Sequence, residues 1–465
     1  MAGQSESTSS SNQRHHIVLI PGFGGFDALG QVEYYAGITE LFQNWKTGRA
    51  VVLHYFDNFP TAAVVTRAER LRYYLAKRVA RGEILESDQI TLVGHSTGGL
   101  DIRRLLFDLH NPSLDDSMSV DGGRNNVSLQ ILRQCICRVV FLSVPHWGTN
   151  IADWVRAHPM WRKVVITYMQ AAVTGSQVYL IDQIEQGLAG SAGGLTGADL
   201  LLAVQDALTE ADDHYGDRSP QRTAAAHEAA SELDLYVRHM TSDFRVIHDL
   251  TSQPPERESK SPAHFDHGER EQELKLWDDL PIQCLSYVTI GNCPFRFDKD
   301  RPAPVWDLMN PYSYPEIQKD DKLSDGTDFA YRLCYRACAG GPFRYPPADL
   351  SGKISDYLND PPPNGPPSHD IAPWDNDGIV NTASMPWPRG KNVLVSCDHL
   401  DIVGHYKLVE AYPAEGRRYR SYDALRSVPP FSDTTFSDIW NVIFKFCVGE
   451  EVYSKAIPAA DSTAG

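Results

Sequence analysis

The chain has 465 residues, enough for one large domain with insertions or for two of ordinary size. A hydrophobic share of 42% and a charged share of 22% lie near the globular averages and predict a buried core through most of the length. The formal net charge of −17 argues against a nucleic-acid or anionic-membrane partner, because both call for a basic face.

Residues 1–14 are polar and rich in Ser, which predicts a disordered leader. They lack the charged start, apolar run and cleavage site of a secretory signal, and no run is long and apolar enough to span a bilayer. A cytoplasmic location is therefore expected, with a secreted form left open. Next, His16 to Ile20 reads as a buried strand feeding the glycine-rich turn Pro21-Gly22-Phe23-Gly24-Gly25. Ala50 to Tyr55 is a second strand. Thr66 to Ala80 has helical spacing, with Leu71, Tyr74, Leu75 and Val79 on one stripe. Gln89 to Val93 is a third strand, followed by Gly94 and a helix from Gly98 to Leu109; Arg138 to Val144 is a fourth. Strand and helix alternate, which implies an α/β fold: a mostly parallel central sheet flanked by helices.

From Trp154 to about Asp249 the pattern is helical and no strand interrupts it, so residues 154–274 are expected to form a large helical cap with its loop. Within them the charged run Pro254 to Glu273 predicts an exposed loop. The sheet is expected to resume at Ile282 to Ile290 and again at Asn392 to Cys397, with a closing helix from Phe436 to Cys447. Between these lies 292–373, an irregular Pro-rich insertion whose proline runs at 361–363 and 366–367 exclude helix or central strand. The core is thus assigned to 15–153 and 275–450, and 451–465 to a disordered tail. There are eight cysteines. Cys135, Cys137, Cys284 and Cys397 fall in apolar, strand-like segments. Cys334 and Cys338 are close enough to pair or to bind a metal, but no second Cys/His pair at zinc-site spacing accompanies them. Mostly free thiols and a reducing compartment are expected.

Gly94-His95-Ser96-Thr97-Gly98 is a G-x-S-x-G motif placed between a strand and a helix. That context presents a serine hydroxyl on a sharp turn that tolerates only small neighbours. A serine is a poor nucleophile at neutral pH, so a base must lie within reach and a carboxylate must orient that base. The order serine, acid, histidine is met by Ser96, Asp377 and His399, with Asp375 as runner-up acid. The N–H groups of Phe23 and Thr97 are the candidate oxyanion donors. His146 precedes any plausible acid and reads as a structural loop histidine; His95 reads as packing the turn.

The motifs resemble those of the bacterial true lipases of the Pseudomonas and Burkholderia type. The matching pieces are residues 17–27 and 34–38, Gly94 to Leu100, Val144 to Thr149, Asn376 to Val380, and His399 to Asp401, in that family's order. The resemblance implies an α/β-hydrolase fold, with Ser96 as nucleophile, Asp377 as acid, His399 as base, and Phe23 and Thr97 as oxyanion donors. It also implies an ester or lipid substrate. The chemistry requires no cofactor, but the family's structural calcium would fall to Asp401 with Asp356, or Asp360 as its substitute; oxygen-only ligation suits that ion. Two departures stand out: Pro21 occupies the place of the family's usual histidine, and the chain shows no secretory signal. A polyester depolymerase, lactonase, amidase or acyltransferase would share these motifs, and so would a non-catalytic binding protein.

Overall fold

The structure, a computed structural model, describes residues 13–25, 28–29, 32–111, 115–157, 243–252, 267–291, 326–339, 371, 375–407, 409–411, 419–421, 425, 427 and 431–452. Most of the expected cap, the proline runs, Asp356, Asp360 and most of the leader and tail lie outside these residues.

Strand β1 (Arg14–Ile20) leads through β2 (Ala28–Leu29) and β3 (Val32–Glu33) to helix α1 (Ile38–Asn44). Then come β4 (Ala50–Tyr55), α2 (Val64–Ala80), β5 (Gln89–His95) and α3 (Thr97–Leu109). A hairpin of β6 (Ser117–Val120) and β7 (Asn125–Ser128) precedes α4 (Leu129–Cys135), β8 (Ile136–Leu142) and α5 (Asn150–Ala157). Beyond residue 157 the next described elements are α6 (Val246–Asp249) and α7 (His267–Asp279), which begin within the segment read as the cap and its loop, and β9 (Gln283–Ile290). The chain closes through α8 (Gly326–Ala339), β10 (Lys391–Ser396), β11 (Val409–Ala411), β12 (Tyr419–Ser421) and α9 (Asp433–Cys447).

Six strands form the central sheet in the order β10-β9-β8-β5-β1-β4, and every pairing in it is parallel. A parallel sheet is covered on both faces, which is why its strands read as near-continuous apolar runs. Strand β1 shows the consequence. Ile17 and Leu19 face α1 and α9 in one buried cluster; Val18 and Ile20 face α2 and α3 in the other. All six strands end at one edge, where an open α/β sheet places its crevice.

Three expectations are corrected. β1 begins at Arg14, one residue inside the segment read as leader; Arg14 aligns with Ala50 of β4 and bonds Asp88 at 2.8 Å. Glu273, expected at the end of an exposed loop, is buried on α7. Its carboxylate takes Arg103 Nε at 2.8 Å and Nη2 at 2.6 Å, which removes the cost of burying either charge alone. The insertion 292–373 is not irregular throughout, because α8 lies within it and packs against α5. All seven described cysteines are free, and α8 carries Cys334 and Cys338.

Candidate active site

Ser96 sits between β5 and α3 with φ 51° and ψ −128°, in the left-handed region that costs a non-glycine residue about 1–3 kcal/mol. The turn closes only because its flanks are glycine. A Cβ on Gly98 would lie 2.4 Å from the Ile20 carbonyl oxygen, and one on Gly94 would lie 2.7 Å from Gly99 N. Helix α3 starts at once, so its unsatisfied N–H groups and positive end face the serine.

Asp377 lies in a tight turn pinned to the end of β9, where Gly291 N donates to the Asn376 carbonyl at 3.0 Å. His399 follows β10. Its backbone N–H donates to the Asp377 carbonyl at 3.0 Å, and its Nδ1 bonds Asp377 Oδ2 at 2.8 Å. A carboxylate only accepts, so Nδ1 carries a proton, and in the neutral imidazole Nε2 then presents the lone pair. Asp377 is fully satisfied: Oδ1 accepts from Ile379 N at 3.0 Å and Val380 N at 2.8 Å, and Oδ2 also accepts from Thr289 Oγ1 at 2.7 Å. Ser143 Oγ lies 2.9 Å from Thr289 Oγ1. Thr289 Oγ1 thus has two oxygen acceptors for its one proton, the Asp377 carboxylate and Ser143 Oγ, and the carboxylate is the nearer. The runner-up Asp375 instead accepts from Thr382 N through its carbonyl at 2.8 Å.

Serine and histidine loops meet at His95. Its ring centroid lies 4.6 Å from that of His399, and its Nε2 donates to the His399 carbonyl at 2.9 Å. Burial holds the His95 imidazole well below its ordinary pKa, with the neighbouring His399 adding to the shift. Ser96 and His399 are both buried. No hydrogen bond joins their side chains among the described contacts; such bonds are often long without substrate and tighten in the complex.

The glycine-rich turn after β1 abuts the serine so closely that a Cβ on Gly22 would lie 2.6 Å from Ser96 Cβ. Gly22 N donates to Tyr34 Oη at 2.8 Å, Gly24 N to the Pro60 carbonyl at 3.1 Å, and Gly25 N to the Gly22 carbonyl at 3.1 Å. Phe23 N and Thr97 N have no acceptor among the described residues. The Phe23 ring packs edge-on to Phe244 at 5.8 Å, just ahead of α6.

Behind this turn lies a residue that the sequence reading missed. Arg67 of α2 is fully buried and donates through Nη2 to the Pro21 carbonyl at 3.1 Å, the Gly22 carbonyl at 3.0 Å and Thr97 Oγ1 at 3.3 Å. Nη1 serves the carbonyls of Phe59 and Pro60. Asp101 of α3 pairs with it at 2.9 Å and also accepts from Asn58 Nδ2 at 3.0 Å. Burial nevertheless pushes the Asp101 carboxyl up to about 6. The signal was spacing: Arg67 lies four residues before Leu71, on the stripe that packs inward.

The remaining candidates fall elsewhere. His146 is buried with its carbonyl on Arg103 Nη1 at 3.0 Å and its ring 4.8 Å from Trp387. Asp401 Oδ2 accepts from Asp398 N at 2.9 Å and Ser427 Oγ at 3.4 Å, a cap on its own turn. Among the described residues no group of three or more His, Cys, Asp or Glu side chains could hold a metal ion. Asp356 and Asp360, the aspartates expected to join Asp401 around calcium, lie outside the described residues.

A parallel sheet, a strained serine between β5 and α3, and an acid–histidine pair on loops at the same edge define an α/β-hydrolase fold. Comparison with protein-family models gives no match, and neither does comparison with curated proteins. Among solved structures the chain is similar to EstA from Clostridium botulinum, at 17% identity and TM-score 0.37 over 86% of this chain and 85% of that one. Staphylococcus hyicus lipase gives 14% and 0.43 over 96% and 97%, and lipase 1 from Pelosinus fermentans 15% and 0.34 over 84% and 93%. None of these three is a Pseudomonas or Burkholderia lipase.

Proposed function

We propose that the protein is a serine hydrolase that cleaves carboxylic esters through an acyl-enzyme. The observation that carries this reading is the Asp377–His399 bond of 2.8 Å on the same sheet edge as the strained Ser96. Ser96 Oγ attacks the ester carbonyl while His399 Nε2 takes its proton. Asp377 holds the imidazole through Nδ1 and stabilises the imidazolium that forms. The tetrahedral oxyanion is received by Phe23 N and Thr97 N, neither of which has an acceptor among the described residues. His399 then returns the proton to the leaving alcohol, and water repeats the sequence to release the acid. The buried site and the apolar pieces around Phe23 favour an acyl ester over a charged substrate.

Ser96→Ala is expected to lower kcat on short nitrophenyl esters by about 10⁶ and to abolish labelling by a fluorophosphonate probe. Turnover and labelling both unchanged in a folded Ser96→Ala protein refute the assignment. The same assay with a chelator tests the calcium expectation: no step above passes through a metal, so activity should persist while any bound calcium shows as a lowered Tm.

A further inference from the structure

We propose that Tyr34 and His95 are positioning residues, a hydrogen-bonded relay that holds the oxyanion turn and the histidine loop in register over Ser96. The inference deepens the hydrolase reading and rests on it. The direction of every bond in the relay is fixed. The His399 carbonyl can only accept, so His95 carries its proton on Nε2, and the bond is 2.9 Å. A neutral imidazole with Nε2 protonated presents a lone pair at Nδ1, and Tyr34 Oη lies 2.7 Å from it. Tyr34 therefore donates to His95. Its oxygen in turn accepts from Gly22 N at 2.8 Å. The chain runs Gly22 N–H to Tyr34 O–H to His95 Nδ1, then His95 Nε2–H to the His399 carbonyl.

Its members come from stretches far apart in sequence: 12 residues separate Gly22 from Tyr34, 61 separate Tyr34 from His95, and 304 separate His95 from His399. Each end stops one step short of a reacting group. Gly22 precedes Phe23, the proposed oxyanion donor, and the His399 carbonyl belongs to the base itself. Tyr34 and His95 are buried, so a broken link would leave a polar group without water to replace it. Tyr34 is held from behind as well: His405 Nε2 bonds its carbonyl at 3.1 Å and Ala36 N bonds the Val403 carbonyl at 2.9 Å. The histidine loop thus grips the tyrosine at its backbone while the tyrosine grips the oxyanion turn at its tip.

The test uses Tyr34→Phe, His95→Gln and the double variant, with active sites titrated so that kcat counts only competent enzyme. Tyr34→Phe is expected to lower kcat on a short nitrophenyl ester about ten- to a hundred-fold, the scale of a misplacement near 1 Å, with KM within about twofold. His95→Gln should behave alike, and the double variant should fall no more than about threefold below the worse single one, because all three cut one chain. A role in folding alone would lower the competent fraction without this split between kcat and KM. Tyr34→Phe turning over at the wild-type rate, or losses that multiply in the double variant, overturns the proposal. Nitrogen NMR of His95 in the wild-type protein covers the case of a variant that does not fold: Nε2–H supports the relay and Nδ1–H overturns it. That measurement needs no turnover. If the wild type neither hydrolyses esters nor labels, the hydrolase reading fails and takes the positioning role with it; if it does both and Tyr34→Phe matches it, only the relay fails.

Discussion

Replacing Arg67 with Met keeps most of the side-chain volume on α2 and removes one buried charge. Asp101, fully buried, then keeps only Asn58 Nδ2 as a side-chain donor among the described residues, and the carbonyls of Phe59, Pro60, Pro21 and Gly22 lose their guanidinium. Breaking a buried pair from one side costs about 3–5 kcal/mol, because a lone charge is left in the interior. Asp101 can escape that cost by protonating. Its carboxyl is already raised by burial from 3.8 to about 6, and Arg67 is what pulls it down, so loss of the arginine raises it further. A carboxyl that binds its proton more tightly when folded loses stability as pH rises from the unfolded value through the folded one. In the wild type that window runs from 3.8 to about 6. In Arg67→Met it extends upward, so the deficit against wild type should be smaller at pH 5, where only the lost bonds to the carbonyls count, and near its full size at pH 8. Urea unfolding at the two pH values measures this. A deficit at pH 8 below about 1 kcal/mol, or one at least as large at pH 5, refutes the reasoning. Arg67→Met/Asp101→Leu should recover much of the stability but little activity, since the turn beside Ser96 still lacks its clamp.

Three further outcomes are expected. Thr289→Val should lower kcat by about tenfold or more, the worth of one bond to a charged acceptor, while Thr289→Ser stays within about twofold; equal losses in both would remove the hydroxyl from the account. Asp377→Asn should cost about 10⁴ in kcat, and Asp375→Asn should leave most activity; the reverse order would exchange their roles. Gly99→Ala should lower Tm, because its Cβ would meet Val144 Cγ2 at 2.2 Å, and the overpacking costs about 1–3 kcal/mol. Thermal melts of Gly99→Ala and Gly99→Ala/Val144→Ala decide whether that contact is the cause.

Much of the sheet was legible because both of its faces are buried, which leaves apolar runs that no other element explains. The positions of Ser96, His399 and the glycine-rich turn were legible because each follows such a run directly. Asp377 was harder: no strand among the described residues leads directly into it, and its place is set by Asn376 bonding the end of β9 across a gap in sequence. Glu273 was misread for the opposite reason. A glutamate at the end of a charged run looks solvated, and nothing local announces that Arg103, 170 residues earlier, will meet it. Buried ion pairs and hydroxyl contacts are made by tertiary approach. Their residues carry no local periodicity, so Thr289 and Ser143 were silent until the strand ends were side by side.

Pro21 shows how one departure from the lipase pattern fits the site. A proline has no N–H to satisfy and a fixed φ, so the first residue of the glycine-rich turn brings only a carbonyl, and Arg67 takes it at 3.1 Å. Gly22 is then held at both ends of its backbone: its carbonyl accepts from Arg67 at 3.0 Å, and its N–H donates to Tyr34 at 2.8 Å. The next N–H along, that of Phe23, is the one left over. An oxyanion donor has to be fixed in place and yet uncommitted, and those two demands conflict in a flexible loop, where a free N–H finds a local acceptor. Bracing the preceding peptide from the α2 side by a cation and from the α1 side by a phenol resolves the conflict, because the neighbours of Phe23 are spent and its own amide is not.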